Sequence, residues 1–178
     1  MKKKAVIMTW NGFQDQEVIY PYYRLLEEGF DVGLATDFRN GATDGSVVGL
    51  FGIKFPAIYN IDSFTERDFD FLVLPGGVKA LEKLRQHQYA LTIIHAYNAH
   101  DGIIASTCHG AQLLISANVV KGRKISGYYS IKDDINNAGA EYVDAPFVID
   151  RNIISSPHYK HMGLWMKTAL DEYYKRNS

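Results

Sequence analysis

Short apolar runs alternate with amphipathic stretches along the whole chain. Runs with the β-branched and aromatic content of strands cover residues 5–10, 30–35, 69–74, 102–107, 147–150 and 153–155. Turn-forming glycine, asparagine and proline punctuate the chain between runs, which is typical of repeated β–α units around a mostly parallel sheet. The pattern predicts an α/β fold, a three-layer sandwich with a mostly parallel central sheet.

Helical spacing of apolar residues marks the segments between these runs. Residues 17–28 carry apolar side chains three or four positions apart, and Gly29 stands where a glycine commonly ends a helix. Residues 40–59 are rich in glycine and β-branched residues and lack a helical period, which predicts a hairpin or ribbon at the sheet edge. Further helices are predicted over residues 81–99, 110–115, 131–138 and 158–174.

The length and the charge of the chain limit the classes of protein to which it can belong. A chain of 178 residues predicts a single domain over residues 1–178. Its 19 Lys and Arg residues nearly balance 20 Asp and Glu residues, so it lacks the basic excess typical of nucleic-acid and membrane binders. Asn11 and Gly12 interrupt the first apolar run too early for a signal peptide, and no run approaches the about 18 apolar residues of a membrane helix. We expect a cytoplasmic protein with no membrane partner and no stable nucleic-acid binding.

The single cysteine, Cys108, cannot form a disulfide within the chain and fits a reducing compartment. It lies between the predicted strand 102–107 and the predicted helix 110–115. A cysteine at such a junction stands on a sharp turn, a nucleophile elbow, with its sulfur exposed. The amides and the dipole at the helix start are expected to stabilise its thiolate. The alternative is an inert cysteine that packs in the core.

Two more groups are expected beside Cys108, because ligands of open α/β sheets bind beyond the carboxyl ends of the strands. They are the helix start near Glu17 and the turn Pro75-Gly76-Gly77. The N–H groups of His109 and Gly77 are expected to hold the oxyanion that forms when Cys108 attacks a carbonyl. Glycines in that turn let the backbone approach a substrate closely.

Together these segments resemble the ThiJ/PfpI family, also called the intracellular protease I or protein deglycase family, within the class I glutamine amidotransferase-like superfamily. The resemblance covers nearly the whole chain and implies a flavodoxin-like fold with a nucleophile elbow. The matching segments are residues 17–25, 28–29, 70–77, 108–110, 114–117, 121–124 and 131–140.

The resemblance also implies roles for four side chains. Cys108 is the nucleophile, and Glu17 is a buried acid that stays protonated and donates a hydrogen bond to the sulfur, which requires a raised pKa. His109 orients a water or, when an acid partners it, acts as a base, although its side chain is not expected to share the direction of Cys108 on a tight turn. Glu82 resembles an acid that a neighbouring subunit supplies, which implies a homodimer or a higher homo-oligomer.

Two of these residues have ordinary alternatives. Glu17 could be a first-turn helix glutamate, and Glu82 a solvated carboxylate paired to Arg85 or Gln86 of its own helix.

The chain departs from the family at two places. Gln14 stands where a second acidic residue is common, and residues 155–161 lack the arginine and aspartate of the Ser-Arg-x-Pro-x-Asp stretch of many relatives. His158 or Lys160 is expected to take the arginine's place near the pocket mouth.

No cofactor and no metal are expected. Two histidines, at positions 158 and 161, lack a third ligand in view, and no phosphate-binding loop or dinucleotide fingerprint occurs. The tyrosines are assigned to the core and to interfaces, among them Tyr128 and Tyr159.

These observations predict a cysteine-dependent hydrolase in which the thiolate attacks the carbonyl of a glycated amine, a glyoxal or a peptide. Deglycase or glyoxalase chemistry on a small-molecule carbonyl ranks above proteolysis. One alternative is a redox-sensing stress protein or chaperone with little turnover, in which Cys108 is oxidised to the sulfinic acid. Another is an inactive relative that serves as a binding module.

Overall fold

The computed structural model describes residues 2–42 and 44–178, and ten strands and six α-helices lie within them. The strands are β1 (Lys4–Met8), β2 (Asp31–Thr36), β3 (Ser46–Val48), β4 (Lys54–Asn60), β5 (Phe71–Leu74), β6 (Ile103–Thr107), β7 (Lys124–Ile125), β8 (Glu141–Tyr142), β9 (Val148–Asp150) and β10 (Ile153–Ser156). The helices are α1 (Asp15–Glu27), α2 (Val78–Leu84), α3 (Gln88–Ala99), α4 (Ala111–Ser116), α5 (Lys132–Asn137) and α6 (Met162–Arg176).

The central sheet has the strand order β3-β4-β2-β1-β5-β6-β10-β9. Neighbours from β4 to β10 are parallel, while β3 and β9 are antiparallel edge strands. Helices cover both faces, and every residue of β5 and β6 is buried, as is usual for parallel strands covered on both sides. The predicted α/β sandwich with a mostly parallel sheet is confirmed, and so is its flavodoxin-like architecture.

The register of the central strands determines where the loops meet. Ile7 of β1 pairs with Val73 of β5, and β5 continues in parallel register with β6. The carboxyl ends of β1, β5 and β6 therefore lie at one edge of the sheet. The segments that follow them, residues 9–14, 75–77 and 108–110, converge there.

Two helix predictions need correction. The stretch predicted as one helix over residues 81–99 is two helices, α2 and α3. His87 separates them by capping α3, since its Nδ1 accepts a hydrogen bond from the Ala90 amide at 3.3 Å. The last helix begins at Met162 rather than at residue 158, because a 3-10 turn, Tyr159–His161, precedes it.

The predicted edge hairpin over residues 40–59 is confirmed. β3 pairs with β4 in antiparallel fashion, and β4 joins β2 in parallel. The sequence did not predict the separate two-stranded sheet of β7 and β8, whose strands have two residues each. None of the helices in the described part of the chain is long and apolar enough to cross a membrane.

Candidate active site

Cys108 follows β6 directly and begins a 3-10 turn, Cys108–Gly110, that leads into α4. Its φ of 56° is in the left-handed region, which costs an L-residue other than Gly about 1–2 kcal/mol. The turn is tight because β5 lies next to it, and a Cβ at Gly110 would collide with the carbonyl oxygen of Leu74. The predicted turn between strand and helix is therefore present, and it holds the cysteine in a strained conformation.

Glu17 is fully buried in the first turn of α1 and reaches the elbow. Its Oε2 accepts a hydrogen bond from the Gly76 amide at 2.6 Å. Its Oε1 is buried without a well-aligned hydrogen-bond partner in the described chain, and the carboxyl group interacts with the Cys108 thiol. Burial raises the pKa of Glu17 to about 7, although the bonds to Gly76 and Cys108 act in the opposite direction. The raised pKa agrees with the sequence prediction.

The sulfur of Cys108 is less ionised than expected. Cys108 is 8% exposed, and burial raises the pKa of its thiol. An ionised Glu17 raises that pKa further, while a hydrogen bond from the His109 amide lowers it. The His109 amide thus acts in the predicted direction, but desolvation outweighs it, and the thiol of Cys108 is neutral in the resting protein. A neutral thiol needs a base to take its proton before it can attack.

His109 is placed to be that base. Its Nδ1 lies 3.4 Å from the Cys108 sulfur, contrary to the expectation that the two side chains point apart. Its Nε2 lies 3.4 Å from the hydroxyl of Ser130. Burial lowers the pKa of His109, so the ring is mainly neutral near pH 7 and can accept a proton.

The two glycines of the β5 turn have different roles. A Cβ at Gly76 would lie 2.6 Å from Glu17 Oε2 and 2.9 Å from the Cys108 Cβ, so only glycine fits there. Because the Gly76 amide is bound to Glu17, it is not free to hold an oxyanion, and Gly76 is corrected from a substrate-binding to a structural position. Gly77 has a φ of 107°, in the left-handed region that favours glycine, and a Cβ there would lie 2.6 Å from the Gly12 carbonyl oxygen. Gly77 therefore allows the turn to bend and the two loops to approach each other.

A cavity of about 580 Å³ opens beside the elbow, within the size range of small-molecule sites. It is lined by Gly12, Gln14, Glu17, Leu50, Gly77, Val78, Lys79, Cys108, His109, Tyr128, His158 and Tyr159. The predicted site residues Cys108, His109, Glu17, Gly77 and His158 thus share one cavity. The backbone N–H groups of His109 and Gly77 stay the predicted donors to an oxyanion there, and the His109 amide, which bonds the Cys108 sulfur at rest, has to exchange that bond for one to the oxyanion.

Four rings form one wall of this cavity. The ring centroids of His109 and Tyr128 are 4.9 Å apart, those of Tyr128 and His158 6.0 Å, and those of His158 and Tyr159 4.0 Å. The assignment of Tyr128 and Tyr159 to core or interface therefore missed their place in the site. No local pattern marks Tyr128, because its position depends on a long-range bond from its amide to the Cys108 carbonyl, at 3.1 Å.

The edge hairpin supplies another lining residue that the sequence did not reveal. Leu50 lies in the turn between β3 and β4, and its amide donates to the Phe13 carbonyl at 2.8 Å. The buried carboxylate of Asp15 accepts hydrogen bonds from the amides of Phe51 and Ile53 at 2.9 and 3.1 Å. These bonds fix the hairpin turn against the start of α1.

Lysine 79 also lines the cavity, on the first turn of α2, and Gln14 lines it where a second acid is common in the family. His158 has the predicted place, whereas Lys160 lines a separate cleft beside it. Glu82 is exposed on α2 and is not among the lining residues. Within one chain the structure does not bring Glu82 to Cys108, so its action across a subunit interface stays a prediction.

One cluster elsewhere has the composition of a metal site. Among the described residues, ligand atoms of Asp37, Asp62 and His87 lie within 4.8 Å of one another. Arg39 already pairs with both carboxylates. His87 Nδ1 accepts the Ala90 amide proton, so Nε2 carries the ring proton and faces Asp62 at 3.5 Å. A metal-binding nitrogen needs a free lone pair, and this arrangement is therefore an ion-pair cluster.

The fold and the site can be compared with known proteins. The sequence model of the DJ-1/PfpI family matches residues 3–172. A deglycase of Pyrococcus horikoshii is 42% identical over 164 residues, which cover 92% of this chain and 95% of the relative. The deglycase PfpI of Pyrococcus furiosus is 40% identical over 164 residues, with 92% and 95% covered.

Among solved structures, a two-domain protein of Anabaena variabilis contains a DJ-1/ThiJ/PfpI-like and a ferritin-like domain. It matches with a TM-score of 0.89 and 27% identity, over 96% of this chain and 48% of that one. The resemblance seen in the sequence is thus confirmed over most of the chain, and the protein belongs to the DJ-1/PfpI family.

Proposed function

We propose that the protein is a cysteine-dependent hydrolase of small carbonyl compounds, with deglycase or glyoxalase activity. The observation that carries the proposal is the meeting of a thiol, a carboxyl group with a pKa of about 7 and a neutral imidazole in one cavity. The relatives named deglycases support the same chemistry. A cavity of about 580 Å³ suits a dicarbonyl or its adduct better than a folded polypeptide, so proteolysis ranks lower.

The first step joins sulfur to carbon. His109 Nδ1 takes the thiol proton as Cys108 Sγ attacks the aldehyde carbon, and the carbonyl oxygen becomes an oxyanion. The amides of Gly77 and His109 are the donors proposed to hold that oxyanion. Because the thiol is neutral at rest, the proton transfer to His109 is part of the barrier, and the orientation of the ring matters.

The protonated His109 returns its proton to the oxyanion, so with methylglyoxal the first product is a hemithioacetal next to a ketone and the imidazole is neutral again. The imidazole then carries the proton of the hemithioacetal carbon to the neighbouring ketone carbon, the hydroxyl proton passes to the ketone oxygen, and the product is a thioester. Water hydrolyses the thioester, releases lactate and restores the thiol. The net reaction adds one water and needs no external oxidant or reductant.

The effect of Glu17 on the Cys108 sulfur depends on whether its carboxyl group is protonated. When it is protonated, its carboxyl group can donate a hydrogen bond to sulfur and stabilise negative charge there. When it is ionised, it repels that charge. The proposal therefore makes the protonated form of Glu17 the active one.

The experiment measures lactate formed from methylglyoxal, and acid released from glycated N-acetyl-lysine, by wild type and Cys108→Ser. Product is measured because methylglyoxal also disappears by reversible reaction with amines. We expect the rate of product formation to fall about a thousandfold or more in Cys108→Ser. Ser63 is exposed and does not line the cavity, so Ser63→Ala is expected to keep the wild-type rate.

Full activity in Cys108→Ser would refute the hydrolase proposal. Release of peptides from denatured casein without any lactate would replace it with a peptidase. The redox-sensor alternative predicts instead that Cys108 gains two oxygens under mild peroxide, and a buried neutral thiol reacts slowly in that way.

We also propose that the chain forms a homo-oligomer through the surface around the cavity mouth. Three exposed apolar side chains line the cavity, namely Leu50, Val78 and Tyr159. Two more, Phe51 and Tyr129, are exposed next to the lining residues Leu50 and Tyr128 in the chain. Such a set is typical of an interface. Light scattering after gel filtration is expected to show at least a dimer, and Phe51→Ser is expected to shift it toward monomer. A monomeric wild type would refute this part.

A further inference from the structure

The imidazole of His109 is held at both nitrogens. Nδ1 faces the Cys108 sulfur and Nε2 faces the Ser130 hydroxyl, each at 3.4 Å. The Tyr128 ring lies against one face of the imidazole, with centroids 4.9 Å apart. The Cys108 sulfur, the His109 ring and the Ser130 hydroxyl therefore form one chain of polar contacts. These contacts can determine which nitrogen of the ring carries the proton.

The backbone fixes the position of Ser130. Two residues earlier, the Tyr128 amide donates to the Cys108 carbonyl at 3.1 Å, which ties this loop to the elbow itself. One residue later, Ile131 is 3% exposed, and its amide donates to the Tyr128 carbonyl at 3.0 Å. Although Ser130 is exposed, it stands between two anchored residues, and its place beside His109 is built into the fold.

A neutral imidazole has one N–H, and the nitrogen that carries it decides what the other can do. If the proton is on Nε2, it can be donated to the Ser130 hydroxyl, and Nδ1 keeps a lone pair for the thiol proton. If the proton is on Nδ1, the ring cannot accept from Cys108. A serine hydroxyl can accept from Nε2 or donate to it, whereas the neutral Cys108 thiol is a proton donor and favours a lone pair on Nδ1. With Nδ1 in that role, the Ser130 hydroxyl accepts the Nε2 proton and adds no charge, so the ring stays neutral. A carboxylate at the same place would instead favour the charged ring.

We propose that Ser130 is a positioning residue of this site, whose hydroxyl holds His109 in the tautomer that accepts the Cys108 proton. The role in turnover rests on the proposed hydrolase function, whereas the hydrogen bond itself can be tested without turnover. Ser130 belongs to the same chain as His109, so this contact needs no neighbouring subunit.

Other titratable groups share the surroundings of His109 and contribute to any pH profile. They are Glu17, Lys79, Cys108, Tyr128, His158 and Tyr159. The experiment therefore compares variants that differ only at Ser130, so that the contribution of the other groups is the same in each.

The test uses the full chain with Ser130→Ala, Ser130→Thr and Ser130→Asp, and with Ser63→Ala as a control whose hydroxyl also lies in an exposed 3-10 turn. For lactate formation from methylglyoxal, Ser130→Ala is expected to lower kcat about tenfold, about 1.4 kcal/mol in the barrier, with KM within twofold. Ser130→Thr is expected to recover most of kcat. The KM–kcat split separates positioning from substrate binding.

The second readout is the NMR titration of the His109 ring. Ser130→Asp is expected to raise the pKa of His109 by about one unit, because a carboxylate stabilises the charged ring. The acidic limb of the pH–rate profile is expected to move up with it. Ser63→Ala is expected to change neither.

The proposal is overturned if Ser130→Ala leaves kcat unchanged and Ser130→Asp leaves the His109 titration unchanged. It is also overturned if Glu82→Gln, and not the Ser130 variants, changes both. Should wild type show no turnover, the hydrolase proposal fails. The ring titration then still decides the Ser130 contact, since it needs no substrate.

Discussion

The Gly76 amide donates a hydrogen bond of 2.6 Å to Glu17, although 59 residues separate the two in sequence. This bond joins the first turn of α1 to the turn after β5, next to Cys108. It also determines the chemistry, because it leaves the second carboxylate oxygen of Glu17 on the side of Cys108. Several consequences of this arrangement can be measured.

The ionisation of Glu17 should make the protein less stable as pH rises. Its pKa is about 7 in the folded chain against 4.5 for the free group, so the folded state binds more protons between these values. The associated stability is fully present below about pH 4.5 and is lost as pH rises through 7, with a size on the order of 3 kcal/mol. Urea unfolding of wild type between pH 5 and 8 is expected to show this fall.

Glu17→Gln, which keeps an acceptor for Gly76 but cannot ionise, is expected to unfold with a flatter pH dependence. Its lactate formation should also persist above pH 7, since the amide can still donate to sulfur. An equally steep fall in stability in Glu17→Gln would show that another group causes it.

Gly76→Ala should damage both folding and turnover. The new methyl group would overlap the carboxyl oxygen of Glu17 and crowd the Cys108 Cβ, and overpacking of this kind costs about 1–3 kcal/mol. Urea unfolding and lactate formation are the measurements. The control is Gly163→Ala, where the nearest atom to a new Cβ is 3.8 Å away, and which should be neutral or slightly stabilising. Equal effects in both would contradict the contact argument.

The left-handed conformation of Cys108 should be visible as strain. Glycine adopts positive φ without penalty, so Cys108→Gly is expected to be more stable than Cys108→Ala by about 1 kcal/mol in urea unfolding. At Thr107, where φ is −138°, the same pair of substitutions should have the opposite order. Greater stability of Cys108→Ala than of Cys108→Gly would mean that the elbow stores no strain.

Asp15 should control the mobility of the turn that carries Leu50. Asp15→Ala removes the acceptor for the amides of Phe51 and Ile53, so hydrogen exchange at both is expected to accelerate at least tenfold. KM for methylglyoxal should rise several-fold with a smaller change in kcat. The reason is that Leu50 lines the cavity but takes no part in the proposed proton transfer from Cys108 to His109. Asp68→Ala, which removes a similar bond to the Thr65 amide, serves as control. Unchanged exchange at Phe51 would exclude the role of Asp15.

The elements of the fold that could be predicted are those whose signal is local. The apolar run before Cys108 and the following helical residues place the elbow from sequence, and periodicity locates most helices. The break between α2 and α3 has no glycine or proline to mark it and depends on His87 acting as a cap.

The site was less predictable because long-range contacts build much of it. Leu50 and Tyr128 reach the cavity, and Ser130 reaches His109, only when their loops fold back onto residues distant in sequence. The direction of the Cys108 pKa was missed for a related reason. The helix-start argument is local, whereas the desolvation that outweighs it comes from the packing of the whole chain.

The residues that line the cavity follow strands at different places in the sheet, some central and some at its edge. Cys108 follows the central strand β6, whereas Leu50 lies in the turn of the β3–β4 hairpin at the rim of the sheet. Detachment of that hairpin would widen the entrance while the elbow and its carboxyl neighbour stay intact. Loosening the rim is therefore a route by which such a protein could admit bulkier substrates without any change in its reacting groups.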